Sequence, residues 1–348
     1  MLLYSIYFGV LSILTKRFLW YDKRKVILYK ERGNEVSMNK EKLLVIIGPT
    51  AVGKTKLSID LAKHFDGEII SGDSMQIYRT MDIGTAKITT DEMEGVPHHL
   101  IDIKDPVESY SVAEFQVNVR ALISEITSRN KLPIIVGGTG LYIQSVIYDY
   151  QFSEQGSNES VRMKLEKELE EHGIESIYER LRQIDPSSAG KIHPNNHRRV
   201  IRALEVFLTT GQTMSQNQEE QIEDELLYDT TLIGLMMERE KLYDRINARV
   251  DHMMKNGLIE EVKALHDQNL RNVQSIQAIG YKEIYNYLDG QVSLEDAIEL
   301  LKRNSRRYAK RQLTWFRNKM DVTWFDMTNL DYEKKLKEII QYIAGKQQ

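Results

Sequence analysis

The sequence contains no cysteine. Disulfides and thiolate zinc sites are therefore excluded, which fits a reducing compartment. A surplus of one charge is lacking as well: 47 Lys and Arg stand against 51 Asp and Glu, a formal net charge of −4. Any nucleic-acid surface must then be local, because the chain as a whole gives no basic signal. Long hydrophobic runs are also missing. The most apolar stretch, residues 2–14, is followed by Lys16 and Arg17 and falls short of the roughly twenty residues a membrane-crossing helix needs. It has no basic segment before it and no clear small-residue cleavage site, so a secretory signal is a weak reading. Residues 23–34 are polar, and Met38 stands just before the first apolar strand pattern. The expectation is that Met38 is the natural start and residues 1–37 an upstream extension; a membrane-surface anchor is the alternative. There is no internal repeat and no low-complexity tract. With 41% apolar residues over 348 positions, the chain can bury one large core or two smaller ones.

What is present is organised around residues 43–55, LLVIIGPTAVGKT. Five apolar residues suit a strand buried on both faces and run into Gly48. Residues 48–55 then fit G-x-x-x-x-G-K-[ST], the phosphate-binding loop. Lys56 to Phe65 follow, with Leu57, Leu61, Ala62 and Phe65 at helical spacing. The chemistry explains the spacing: Gly48 and Gly53 permit close backbone approach, Lys54 adds a positive charge, Thr55 offers a hydroxyl to Mg²⁺, and the helix N-terminus favours an anion. An ordinary Gly-Pro turn is the alternative. The loop predicts a di- or triphosphate ligand and leaves open which bond breaks.

Further along, residues 67–71 read as a second strand ending at Gly72-Asp73-Ser74, residues 75–87 as a loop, and residues 96–102 as a short extended piece. Val112, Phe115, Val119, Leu122, Ile123 and Ile126 mark a helix. Residues 131–140, KLPIIVGGTG, repeat the pattern of buried strand into glycine loop. Alternating strands and helices predict an α/β fold: a P-loop NTPase-like parallel sheet core whose ligand crevice lies beyond the carboxyl ends of the strands. Near residue 150 the pattern changes to charged helix, broken at Gly173, with no strand signal before residues 232–235. The expected organisation is an extension (1–37), an α/β core (38–150), a helical insertion domain (151–205), the rest of the core with a helical C-terminal region (206–330) and a tail helix (331–348). Helices are expected over 238–255, 258–268, 275–288 and 294–320.

Asp73 admits three readings: a turn-forming aspartate, a Mg²⁺ carboxylate, or a general base beside the phosphates. His98 and His99 are adjacent in an extended segment and point to opposite faces, which favours packing over metal binding. His193 and His197 lack the zinc-helix pattern. Basic residues do cluster locally. Arg198, Arg199 and Arg202 lie within HRRVIR, and Lys302, Arg303, Arg306, Arg307, Lys310, Arg311, Arg317 and Lys319 fall on one expected helix. Arg303, Arg307 and Arg311 share a face of nearly one sign, which suits contact with a phosphate backbone. Trp315 and Phe316 can stack on a base, but adjacent aromatics near a helix end are more often core or interface.

Together these pieces resemble the tRNA dimethylallyltransferase family, bacterial type. The matching segments are GPTAVGKT (48–55), GDSMQIYRTMDIGTAK (72–87), VPHHLIDI (96–103), GGTGLY (137–142), RRVIRALEV (198–206), QAIGYKE (277–283) and RQLTWFR (311–317), in the family's order over about residues 40–325. The resemblance implies transfer of the dimethylallyl group from dimethylallyl diphosphate to N6 of adenosine 37 in tRNA, with release of diphosphate and Mg²⁺ as cofactor. It implies Asp73 as general base and Thr139 near the transferring group. Gly48, Thr50, Ala51, Val52, Gly53, Lys54 and Thr55 would hold the diphosphate together with Arg239, Thr55 also serving the metal. Asp73, Ser74, Met75 and Gln76 would contact tRNA, as would Arg162 and the segment Arg198, Arg199, Val200, Ile201 and Arg202; the basic face adds Arg303 and Arg307. Gly72, where many members carry alanine, departs from the family pattern away from the chemistry. The expectation is a cytoplasmic monomer with no membrane association.

Three other functions compete. A small-molecule or nucleotide kinase explains the loop and leaves the arginine-rich helix unexplained. An adenylate isopentenyltransferase shares loop and donor but needs neither the insertion nor the basic segments. A non-catalytic RNA-binding switch would show nucleotide-dependent RNA affinity and no covalent product.

Overall fold

The computed structural model describes residues 40–150, 152, 158–219, 225–329 and 331–346. The expected extension and the Met38 start lie outside these residues. Six strands form one parallel sheet: β1 (Lys42–Ile47), β2 (Gly67–Gly72), β3 (His98–His99), β4 (Leu132–Gly137), β5 (Asp229–Met236) and β6 (Thr323–Asp326), in the order β3-β2-β4-β1-β5-β6. Helices cover both faces, so β1 is buried from Leu43 to Ile47. Leu43, Val45 and Ile47 enter the core on one side, Leu44 and Ile46 the core on the other. The strand order reverses at β1, between β4 and β5, and this is where an open α/β sheet opens a crevice at its carboxyl edge.

The helices follow from their patterns. α1 (Lys54–Phe65) buries Leu57, Leu61 and Ala62. α2 (Val112–Ser128) begins at a capping box in which the Ser111 side chain accepts from Glu114 N–H and Glu114 accepts from Ser111 N–H. α3 (Gly140–Ile147) follows the second glycine loop.

The insertion comprises α4 (Glu159–Ile184), α5 (Pro186–Lys191), α6 (His197–Thr210) and α7 (Met214–Glu219). Gly173, at φ 75° and ψ 171°, breaks α4 where the sequence predicted a break. These helices close over their own core of Leu165, Ile177, Leu181, Val200 and Leu204. The expected boundary at residue 205 falls inside α6, because the apolar stripe that holds α6 to α4 continues past it; the chain rejoins the sheet only at β5.

The C-terminal region brings α8 (Arg239–Lys255), α9 (Leu258–Asp267), α10 (Tyr281–Leu288), α11 (Leu294–Lys319) and α12 (Tyr332–Lys346). The helix expected over 275–288 is split: a short 3₁₀ turn at Ser275–Gln277 ends, and Gly280 at φ 107° starts α10 in a new direction. β6 was not expected. It is four residues at the sheet edge and only partly buried, too short to carry a period-2 signal.

Candidate active site

Strand register builds the site. Ile47 of β1 pairs with Gly137 of β4, and Gly137 pairs with Gly72 of β2. The residues that follow, Gly48, Gly138 and Asp73, therefore leave the sheet side by side at its carboxyl edge.

At that edge the first glycine loop turns into α1 through Gly53, whose φ of 108° suits a residue without Cβ. Lys54 folds back so that Nζ donates to the carbonyls of Gly48 and Pro49, both at 2.9 Å. Burial, then the nearby Arg249 guanidinium, push its pKa down to about 8, with Asp73 opposing. Arg249 reaches in from α8 and donates from Nη1 to Thr50 Oγ1 at 3.3 Å. Its own pKa is lowered by burial, again opposed by Asp73. Among the described residues neither cation has a carboxylate within ion-pairing distance. Two half-buried cations left this way repel each other and call for an anion.

Asp73 forms the turn that the first of its readings expects. Oδ1 accepts from the N–H groups of Met75 at 2.8 Å and Gln76 at 3.4 Å, a side-chain turn. Oδ2 has no hydrogen-bond partner among the described residues and is left to the crevice. Two cavities meet at this residue. The first, about 250 Å³, is lined by Lys54, Thr55, Ser71, Gln76 and Gly138. The second, about 300 Å³, has apolar walls from Met75, Ile246, Val250, Met253, Ile279 and Leu301. Thr50, Asp73, Thr85, Arg249 and Tyr308 line both. The Tyr308 hydroxyl is pushed up to about 12 by burial and by the charge of Asp73, which keeps it a neutral donor.

Three supports hold this wall, and the sequence did not reveal them. Gln312 of α11 is buried between the two glycine loops: Oε1 accepts from Thr50 N–H at 2.9 Å and Nε2 donates to the Gly138 carbonyl at 3.1 Å. A Cβ on Gly138 would lie 2.0 Å from Nε2, so only glycine admits the amide. Glu261 of α9 accepts from the N–H groups of Asp82, Ile83 and Gly84 and from the Tyr281 hydroxyl, fixing the loop that carries Thr85. Arg249 was the third, and it does carry a local sign: it lies three residues after Ile246 and four before Met253, an arginine on the apolar side of its helix.

The other expected residues are distributed as follows. Thr139 caps α3, and among the described residues its buried hydroxyl has no hydrogen-bond partner within normal geometry. Thr55 is exposed at the mouth of the first cavity, Ala51 lines that cavity, and Val52 is buried, so it offers only its backbone. Ser74 and Met75 line the second cavity and Gln76 the first. Arg239 is not brought to the site: it is exposed at the start of α8, over the Tyr243 ring, and Arg249, ten residues on, occupies the place expected for it. Val200 and Ile201 are core residues of the insertion, so their side chains present nothing to RNA. Arg162 and Arg202 both pair with the fully buried Glu205, at 2.9 and 3.1 Å. Arg198 and Arg199 are exposed, and Arg198 reaches Gln277 at the rim of the second cavity.

On α11, Arg303 and Arg307 are exposed, while Lys302 pairs with Asp251 at 2.7 Å and Arg306 bonds Asn247 at 2.6 Å. The basic face is thus narrower than the sequence suggested. His98 lines the first cavity with Nδ1 on the Val96 carbonyl, and His99 bonds Glu68; both are half-buried. Among the described residues no three His, Asp or Glu side chains cluster as a metal site.

Comparison with known proteins places these features in context. The family model described as IPP transferase matches residues 76–319. A tRNA dimethylallyltransferase of Bacillus mycoides is 66% identical over 311 residues, covering 89% of this chain and 97% of that one. One from Bacillus anthracis is 65% identical, covering 89% and 98%. Among solved structures, the full-length tRNA isopentenylpyrophosphate transferase of Bacillus halodurans is 58% identical with a TM-score of 0.68, covering 88% of this chain and 97% of that one. A eukaryotic dimethylallyltransferase acting on tRNA is 35% identical with a TM-score of 0.75, covering 88% and 79%.

Proposed function

This chain belongs to the IPP transferase family and is a transferase enzyme; we propose that it moves the dimethylallyl group of dimethylallyl diphosphate to N6 of adenosine 37 in tRNA, releasing diphosphate. The observation that carries the reading is the pairing of cavities at Asp73. On one side two half-buried cations have no carboxylate partner among the described residues, and on the other apolar walls suit a purine drawn out of a loop.

In this reading the diphosphate lies in the first cavity against Lys54, Arg249 and the free N–H groups of the glycine loop. These groups are preorganised where charge gathers as the carbon–oxygen bond breaks. Thr50 N–H is already committed to Gln312, so the loop offers one donor fewer than its sequence implies. The adenine occupies the second cavity with its exocyclic amine toward the shared wall. As N6 bonds to the allylic carbon its N–H becomes acidic, and Asp73 Oδ2 accepts the proton while Oδ1 stays bonded to the turn. The bond lost is carbon to diphosphate oxygen, the bond gained carbon to N6, and the proton passes to Asp73. Mg²⁺ fits this site in the way it usually binds, through one or two protein oxygens and the substrate's phosphates, here with Thr55 Oγ1 as the protein oxygen; bound there it would neutralise charge on the leaving diphosphate.

The proposal includes a monomer working in the cytoplasm; among the described residues no helix is long and apolar enough to cross a membrane. Purified protein with Mg²⁺, labelled dimethylallyl diphosphate and either unmodified tRNA or AMP tests it. Label on tRNA supports it. Label on AMP alone, or ATP hydrolysis without prenyl transfer, overturns it.

A further inference from the structure

The adjacent aromatics near the end of α11 part company. Phe316 is fully buried, whereas Trp315 is 36% exposed, one of five large hydrophobic side chains exposed to this degree among the described residues. The indole is nevertheless held in place. A Cβ on Gly140 would lie 2.1 Å from its Cδ1 and 2.3 Å from its Nε1, so the five-membered edge sits directly on the second glycine loop. The remainder of the ring faces a shallow groove of about 560 Å³, shared with Arg307, Lys310, Arg311, Thr314 and Lys319 and with no carboxylate in its lining.

This groove connects to the crevice. Arg311 lines it and also lines the second cavity, and its guanidinium is steadied over the Tyr308 ring at 5.6 Å. Arg311 is thus placed to meet the neighbouring phosphate of a strand that sends one purine into the second cavity, and Trp315 to meet its next base. Aromatic rings flanked by cations are the usual platform for an unpaired nucleotide, because every base has a face to stack and the backbone follows the charges. A two-torsion side chain already seated loses little freedom on doing so.

We infer that Trp315 is the stacking platform for the base next to the target nucleotide, with Arg307, Arg311 and Lys319 holding the adjoining phosphates. This rests on the second cavity receiving an RNA purine, and the following experiment separates the two. Steady-state prenylation is measured with the full chain, an anticodon stem-loop RNA, and the same RNA made abasic in turn at each nucleotide flanking the target. Trp315→Ala should raise KM for RNA about tenfold, as expected for loss of one base–aromatic stack. KM for the donor should be unchanged, and Trp315→Phe should recover most of the loss. With unaltered protein, one of the abasic RNAs should show a similar rise, and Trp315→Ala should add nothing further on that RNA.

The inference is overturned if Trp315→Ala changes kcat or the donor KM and leaves the RNA KM alone, since the indole would then only brace Gly140. It is equally overturned if protein and RNA changes multiply, or if Trp315→Ala abolishes a concentration-dependent self-association without altering RNA binding. The abasic arm needs no variant that must fold. Failure of the broader proposal looks different: no RNA would be prenylated at all.

Discussion

Lys54 makes donor binding depend on pH in a way its surroundings specify. Its ordinary value of 10.5 is lowered to about 8 by burial and by Arg249. Holding it charged at pH 7 therefore costs the empty site roughly 3 kcal/mol, at about 1.4 kcal/mol for each tenfold. A bound diphosphate that restores the ordinary value recovers this amount, so the charge is worth on the order of 100-fold in donor affinity. Free enzyme has about nine in ten Lys54 charged at pH 7 and about one in ten at pH 9. The value of kcat/KM for dimethylallyl diphosphate should thus fall about tenfold between these limits. Lys54→Arg, which stays charged throughout, should give lower but pH-independent values over this range. Arg249→Gln should move the inflection upward, because the repelling charge is gone. Stability of the empty protein has the opposite sign. The folded-state value lies below the unfolded one, so the contribution of Lys54 to stability rises between about pH 8 and 10.5 as donor affinity falls. A wild-type profile flat to pH 9, or the same decline in Lys54→Arg, would refute the reasoning.

Other outcomes follow from the same geometry. Asp73→Asn keeps an oxygen for the turn at Met75 and Gln76 but removes the base, so single-turnover rates should drop about 10²- to 10⁴-fold while donor binding by calorimetry persists. Arg162→Ala with Arg202→Ala leaves the fully buried Glu205 carboxylate without its cations and should destabilise the insertion by about 3–5 kcal/mol, read as early proteolysis between α4 and α7 with the sheet core intact. Arg303→Ala with Arg307→Ala should weaken tRNA binding and flatten its salt dependence without affecting the donor; an unchanged salt slope would count against that face.

The sheet and the glycine loops were legible because their signals are local: five apolar residues into a glycine, twice, with helical spacing after each. The charged stretch after residue 150 likewise marked the insertion, and Gly173 its break. Residues placed by tertiary packing were harder. Arg239 and Arg249 lie on the same helix, and only the packing of α8 against the crevice decides which points inward. Gln312 looks like an ordinary helical polar residue until α11 is laid across both loops. Within RRVIR, a basic segment and an apolar stripe share one helix. The arginines drew the reading toward RNA, while Val200 and Ile201 follow the stripe into the insertion core and Arg202 turns to Glu205.

The level ending of β1, β2 and β4 also limits where the chain tolerates a change of length. Moving β4 by one position would put Thr139 where Gly138 stands, bring a side chain into the 2.0 Å gap beneath the Gln312 amide, and turn every β4 residue to the opposite layer. Deletions or insertions within these strands are thus incompatible with the crevice. The run from α4 to α7, which enters after α3 and leaves before β5, can lengthen or shrink without disturbing that alignment.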